Sequence, residues 1–255
     1  MYIQEIIINI DSEIDKGEVV NEFNVLMAHY RSNGQSQGNM ETQYITGNKI
    51  ISLLYTLEEN SLNLNTNNFY VNKQSKKIED LCNAKIQINT LGKSYDTYRS
   101  PCECKKSEFY ILITNYLTIE SPISCGTCNK SVPLYRLPKY DDHGYMPILS
   151  WETNYNSCDS LQMNCEIGER WASNQMENIK SALTKQGLKI CQKLEIITKT
   201  PTYYYLHNYL KYKGDNLTRT CPSCYNDWGL QNRLHNFYDF KCDRCKLLST
   251  ISPNS

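Results

Sequence analysis

Cys221-Pro-Ser-Cys224 and Cys242-Asp-Arg-Cys245 are two CxxC pairs separated by seventeen residues, and they constrain the fold of this chain more than any other feature. Each CxxC turn can aim two sulfurs at one ion while its backbone N–H groups hydrogen-bond the thiolates, and the β-type residues between the pairs can form a short hairpin. This is the spacing of a four-thiolate zinc ribbon. Four protein ligands leave no position for water, so such a site is structural rather than hydrolytic. A second set is Cys102-Glu-Cys104 with Cys125-Gly-Thr-Cys128, twenty residues apart across the strand-like EFYILITNYLTIE. Here the expectation is a second zinc, although the single residue between Cys102 and Cys104 tightens the turn and leaves open whether those two ligate.

Twelve cysteines in 255 residues are read this way because of compartment. MYIQEIIINIDSEID carries no basic region and no small-residue cleavage site, so it reads as a strand and not a secretion signal, which implies the cytoplasm. In a reducing compartment cysteine spacing signals metal ligation or burial, not a disulfide framework. Cys82 and Cys191 fall on apolar helix faces and read as core. Cys158 and Cys165 sit beside Asp159, Glu166 and Glu169; their role is open between a packed segment and a reactive thiol.

The first hundred residues have a different character. Tyr2 to Ile10 is β-rich, and Asp15 with Glu18 resembles a capping box opening a helix with Val19, Val20, Phe23, Leu26, Met27 and Tyr30 on one stripe. ETQYITGNKIISLLYTLEE reads as two strands meeting at Gly47-Asn48. A helix then runs to about Cys82 with Ile78 and Leu81 inward, and AKIQINTLG supplies a fourth strand. The order β-α-β-β-α-β predicts a ferredoxin-like domain over residues 1–99. Residues 100–255 are expected to form a cysteine-rich α+β domain, with ribbon modules at 102–128 and 221–245 joined by one helix over about 174–199. That helix is drawn on Met176, Ile179, Leu183, Gly187, Ile190, Leu194 and Ile197, capped by Asn174 and Glu177. TYYYLHNYLKY (202–212) reads as a long strand.

The segments SPISCGTCNKSVPLYRLP (121–138), WETNYNSCDSLQMNCEIGER (151–170), PTYYYL (201–206), and CPSC with Trp228 and FYDFKCDRCKLLS (237–249) together resemble a bacterial family of unknown function. That family is described as zinc-ribbon-containing, with nucleic-acid binding conjectured. The resemblance covers about residues 100–250. It implies zinc at Cys221, Cys224, Cys242 and Cys245, and extends to Cys125 and Cys128; it supplies no activity.

Function is then weighed from charge and motif. Lys+Arg and Asp+Glu both number 27, so the chain as a whole has no net attraction for nucleic acid or anionic lipid. No stretch approaches the roughly 20 apolar residues of a membrane span. There is no P-loop, GxGxxG after a strand, HExxH or GxSxG, so an enzyme is not expected; among the four histidines, His143 in DDHGY is the one to test. Residues 201–255 carry seven Lys+Arg against four Asp+Glu. Arg219, Arg233, Lys241, Arg244 and Lys246 alternate there with aromatic rings, which is the pattern of a nucleic-acid surface. A filled four-thiolate site contributes about −2 and lowers that local excess to about +1. The expected protein is therefore a non-enzymatic zinc-ribbon protein binding a macromolecule: nucleic acid, or a protein partner in the manner of an immunity or antitoxin-like module. No small-molecule substrate is indicated.

Overall fold

The computed structural model describes residues 1–11, 13–94, 99–142, 144–208 and 220–251, with the side chains of residues 39–41 set aside. The fold is α+β, with two sheets in two compact units. Unit 1 comprises residues 1–101 with 119–121 and 133–146; unit 2 comprises 102–118, 122–132 and 147–255. A composition-based division near residue 100 thus sits beside a structure in which two later segments pack with the first unit. No helix among the described residues is long and apolar enough to cross a membrane.

In unit 1, β1 (Tyr2–Asn9), α1 (Lys16–Ser32), β2 (Gln37–Thr46), β3 (Lys49–Thr56), α2 (Phe69–Cys82) and β4 (Gln87–Lys93) follow one another. The sheet order is β2-β3-β1-β4, with every neighbour antiparallel. Alternation along the strands buries Ile6, Ile8, Ile50 and Leu54 together with Val19, Phe23, Leu26, Met27 and Tyr30 of α1 and Val71, Ile78 and Cys82 of α2. Asp15 caps α1 by accepting from Gly17 N, and Asn68 caps α2 by accepting from Val71 N. The segment 133–146 lies so close that a Cβ at Gly34, whose φ is +72°, would fall 2.4 Å from that of Leu134. The Tyr145 N–H donates to Ser32 O at 2.8 Å.

Unit 2 contains β5 (Tyr110–Leu112), β6 (Ile123–Cys125), α3 (Met146–Asn164), α4 (Glu169–Glu177), α5 (Ala182–Thr198), β7 (Thr202–Tyr205), β8 (Gly229–Leu234), β9 (Tyr238–Cys242) and β10 (Leu247–Ser249). Its six-stranded sheet has the order β6-β5-β7-β10-β9-β8. β7 runs parallel to both β5 and β10, so one four-residue strand joins the hairpin of the first cysteine set to that of the second. This replaces the expected single helical connection with a shared sheet. The helix expected over 174–199 is likewise two helices. Asn178 is extended and its Oδ1 accepts from Lys180 N, while Ser181 opens α5 by accepting from Thr184 N. Local side-chain to backbone bonding thereby overrides the apolar spacing across the break. Of the long strand expected over 202–212, residues 202–205 are β, and 209–212 lie outside the described residues.

Helix α3 was not anticipated. Pro147 sits in its first turn, and Ile148, Leu149, Trp151, Tyr155, Cys158, Asp159 and Gln162 form its buried stripe. Trp151 meets Tyr155 at 5.2 Å and Tyr204 of β7 at 5.9 Å between ring centroids. On the other face of the sheet Tyr203 and Tyr205 pack with Phe109, Ile111, Tyr238 and Leu248.

Candidate metal centres

Cys102, Cys104, Cys125 and Cys128 form one group, and Cys221, Cys224, Cys242 and Cys245 another; in each, the four sulfurs lie within 4.8 Å of one another. Measured contacts are 3.6 Å between Cys128 and Cys102 Sγ and 3.7 Å between Cys224 and Cys242 Sγ. A tetrahedron with metal–sulfur bonds near 2.3 Å requires sulfurs about 3.8 Å apart, and these two contacts match that spacing. Both groups could hold a metal ion such as zinc, and all eight cysteines named from sequence fall into them. The CxC pair joins its partner as fully as the CxxC pairs do.

Local backbone geometry repeats across the knuckles. The residue after the second cysteine is left-handed in all three CxxC turns: Asn129 at φ 56°, Tyr225 at φ 61° and Lys246 at φ 54°. Such a conformation costs a non-glycine residue about 1–2 kcal/mol and persists where the surroundings impose it. It turns the chain back so that Asn129 N donates to Cys125 O at 2.7 Å and Tyr225 N to Cys221 O at 2.8 Å. The Cys104 and Cys245 N–H groups point at Cys102 and Cys242 Sγ, both at 3.4 Å. Gly126 inside the first knuckle is required by space: a Cβ there would fall 2.3 Å from the Phe109 ring.

The electrostatics are those of thiols waiting for a cation. Burial pushes the Cys242 thiol up to about 12, and burial raises Cys102 and Cys221 as well. Cys104 is raised chiefly by its bond to Cys128. One thiol in each group goes the other way. Burial opposes ionisation of Cys125, but the Ser107 hydroxyl at 3.1 Å and the Cys128 and Thr127 N–H groups outweigh it and bring it down to about 6. Cys224, receiving the Asn226 N–H, comes down to about 7. One thiolate per group forms readily and disfavours its neighbours; a divalent cation removes that penalty for all four.

A chain of contacts links the two cysteine groups inside unit 2. The Phe109 ring, beside the first knuckle, meets Tyr203 of β7 at 5.2 Å, and Lys241 Nζ stands over both rings at 5.2 and 5.0 Å. Tyr203 donates to Asp243 in the CDRC knuckle at 2.6 Å. His235, in the β8–β9 turn, places Nε2 2.7 Å from Gly126 O in the CGTC knuckle.

The cations singled out for nucleic acid are placed differently from one another. Arg233 pairs with Asp239 at 2.7 Å, Lys241 with Asp243 at 2.9 Å, and Lys246 Nζ lies 5.2 Å from the Tyr203 ring centre. Arg244 is exposed; Arg219 lies outside the described residues, as does His143. Of the interleaved rings, Trp228, Tyr238 and Phe240 are buried, and Tyr225 and Phe237 are exposed. Cys82 and Cys191 are core, as their helix faces predict. Cys158 is buried, its thiol raised by burial and by Asp159, while Cys165 is exposed.

The fold and its eight clustered cysteines define a protein with two four-cysteine, metal-compatible centres on one sheet. Three family models match the chain, each described as a domain of unknown function: DUF8589 over residues 1–92, DUF2310 over 104–207 and DUF8594 over 211–255. It is similar to two proteins of Haemophilus influenzae described as uncharacterized. One is 29% identical over 239 residues, spanning 91% of this chain and 90% of the relative. The other is 35% identical over 148 residues, spanning 56% of this chain and 71% of the relative. The chain belongs to the bacterial family of these proteins, whose function is unknown. No solved structure matches it significantly.

Proposed function

We propose that this is a non-enzymatic zinc protein of the cytoplasm, holding one Zn²⁺ in each four-cysteine group, and that it acts by binding another protein. The observation that carries the metal reading is the closeness of four sulfurs in each group, all within 4.8 Å. Zinc is the choice because four thiolates in tetrahedral array suit it, and because such a closed site supports folding rather than catalysis. Thiolate ligation also goes with a reducing compartment. The β-α-β-β-α-β order and the sheet order β2-β3-β1-β4 support reading unit 1 as a ferredoxin-like domain.

The choice of a protein over nucleic acid rests on how the cations are used. Arg233 and Lys241 are paired with carboxylates and Lys246 lies on a ring, which leaves few charges to meet phosphates. In contrast Met163, Ile167 and Trp171, within the short stretch 163–171, are 50%, 78% and 58% exposed. Exposed Trp and Met are the residue types enriched in protein interfaces.

Elemental analysis of the purified protein tests the metal reading: two zincs per chain are expected, and none overturns it. Titration with a short single-stranded oligonucleotide at low salt tests the partner. No binding is expected; salt-sensitive binding abolished by Arg233→Glu and Arg244→Glu would return the choice to nucleic acid.

A further inference from the structure

A cavity of about 330 Å³ lies between one stripe of α5 and the knuckles of the second cysteine group. Leu188, Cys191, Gln192 and Glu195 step by three and four along α5 and form one wall; Ser223, Arg244 and Lys246 form the other. The half-buried Glu195 carboxylate thus shares a small cavity with two cations. Among the described residues neither Glu195 nor Arg244 makes an ion pair, with one another or with anything else, while the Lys246 ammonium lies over the Tyr203 ring. Opposite charges on flexible side chains around one cavity pair unless the backbone holds them apart, and here α5 and a metal knuckle fix the two sides.

We infer that this cavity is a binding site for a small zwitterion of amino-acid type, its ammonium group facing Glu195 and its carboxylate facing Arg244. The volume lies at the small end of the range for ligand pockets, roughly 300–1,000 Å³, and suits an amino acid better than a nucleotide. Charge selects in the same direction. When filled, the four-thiolate centre that includes Cys245 carries about −2 beside the cavity, so a phosphate dianion is repelled more than a ligand of zero net charge. The Gln192 amide and the Ser223 hydroxyl add an acceptor and a donor on the appropriate walls. Leu188, the buried Cys191 and Thr202, and the metal-group Cys245 give the remaining surface, so the side chain accommodated is small and uncharged.

The test is calorimetric titration of the full-length, metal-loaded protein with the twenty free amino acids and, separately, inorganic phosphate. At least one amino acid with an uncharged side chain binds, and Glu195→Gln and Arg244→Gln each weaken it by about tenfold or more, as loss of a charged partner implies. Its N-acetyl derivative and its decarboxylated amine fail to bind. Zinc content is measured on every variant. Glu195 is far in sequence from the cysteine ligands, so Glu195→Gln with two zincs and unchanged affinity overturns the proposal, whatever becomes of Arg244→Gln. Absence of binding by all twenty at 10 mM, or phosphate binding that ignores Glu195→Gln, overturns it equally. None of these outcomes bears on the metal reading, which the zinc content decides by itself.

Discussion

Replacing Gly187 by alanine tests how tightly unit 2 is assembled around β7. In an exposed helix interior this change stabilises by about 1 kcal/mol, because alanine gives up less backbone freedom. At Gly187 the added Cβ would stand 2.1 Å from Tyr204 Cε2, 2.6 Å from Tyr204 Cδ2 and 2.9 Å from Trp151 Nε1. Carbon atoms in contact sit about 3.5–4.0 Å apart, so the overlap is roughly 1.5 Å against a ring that is fully buried. Tyr204 cannot swing aside, since its strand is hydrogen-bonded on both edges, and Trp151 fills the adjacent space. Overpacking of this kind costs about 3 kcal/mol or more, and subtracting the helix gain leaves a destabilisation of about 2 kcal/mol. All three tryptophans, Trp151, Trp171 and Trp228, belong to unit 2, so urea unfolding followed by tryptophan fluorescence reports that unit alone. With a slope of about 2 kcal/mol per molar, the midpoint falls by about 1 M. A midpoint that is unchanged or raised would refute the close packing of α5 on β7.

Removing metal with a strong chelator under reducing conditions should unfold unit 2, seen as a red shift in tryptophan emission and reversed by added zinc. Small zinc modules gain about 10–16 kcal/mol from their ion, and a spectrum indifferent to chelation would contradict that dependence. His235→Ala removes the bond to Gly126 O and should weaken zinc retention at the first group, at a cost of about 0.5–1.5 kcal/mol; equal retention in a chelator competition would show the contact to be idle. Glu22 on α1 is held below the usual carboxylate range by its bonds to Lys77 and then Gln74 of α2. A depressed acid contributes stability above its unfolded value and loses it as pH falls through the folded one. Wild type should therefore exceed Glu22→Gln by about 0.3–1 kcal/mol at pH 7, and the margin should shrink as pH falls below about 4, by thermal melts across that range. A gap that stays constant from pH 7 to about pH 3 would contradict the ionic origin.

The two four-cysteine groups were legible because their signal is chemical: three CxxC pairs and one CxC pair name the residues, and the structure gathers all eight sulfurs into two groups that could hold a metal ion. Unit 1 was legible because its periodicities are clean. Val19, Phe23, Leu26, Met27 and Tyr30 step helically, and the turn at Gly47, where φ is +55°, separates strands in register Thr46 to Lys49. Helix α3 escaped because Asp159 and Gln162, two of the seven residues of its buried stripe, are polar; Pro147 followed by Ile148, Trp151 and Tyr155 was the signal available. The break between α4 and α5 escaped because Ile179 keeps the apolar spacing while Asn178 and Ser181 redirect the backbone. The sharing of β7 was beyond reach, since parallel pairing with β5 and β10 spans about ninety and forty residues of chain and leaves no local trace.

That central strand also sets an order of events during synthesis. The first cysteine group is complete once residue 128 has emerged, and it can close on an ion while β7, some seventy residues further on, is still unmade. When β7 arrives it can add to β5 and β6, two of the six strands, and its other edge stays bare until β10, near the end of the described chain, is delivered. An exposed, tyrosine-rich edge strand is an invitation to pair with another chain. At four residues β7 is as short as edge strands that limit such pairing, and the strand that covers its bare edge follows directly on the second cysteine group.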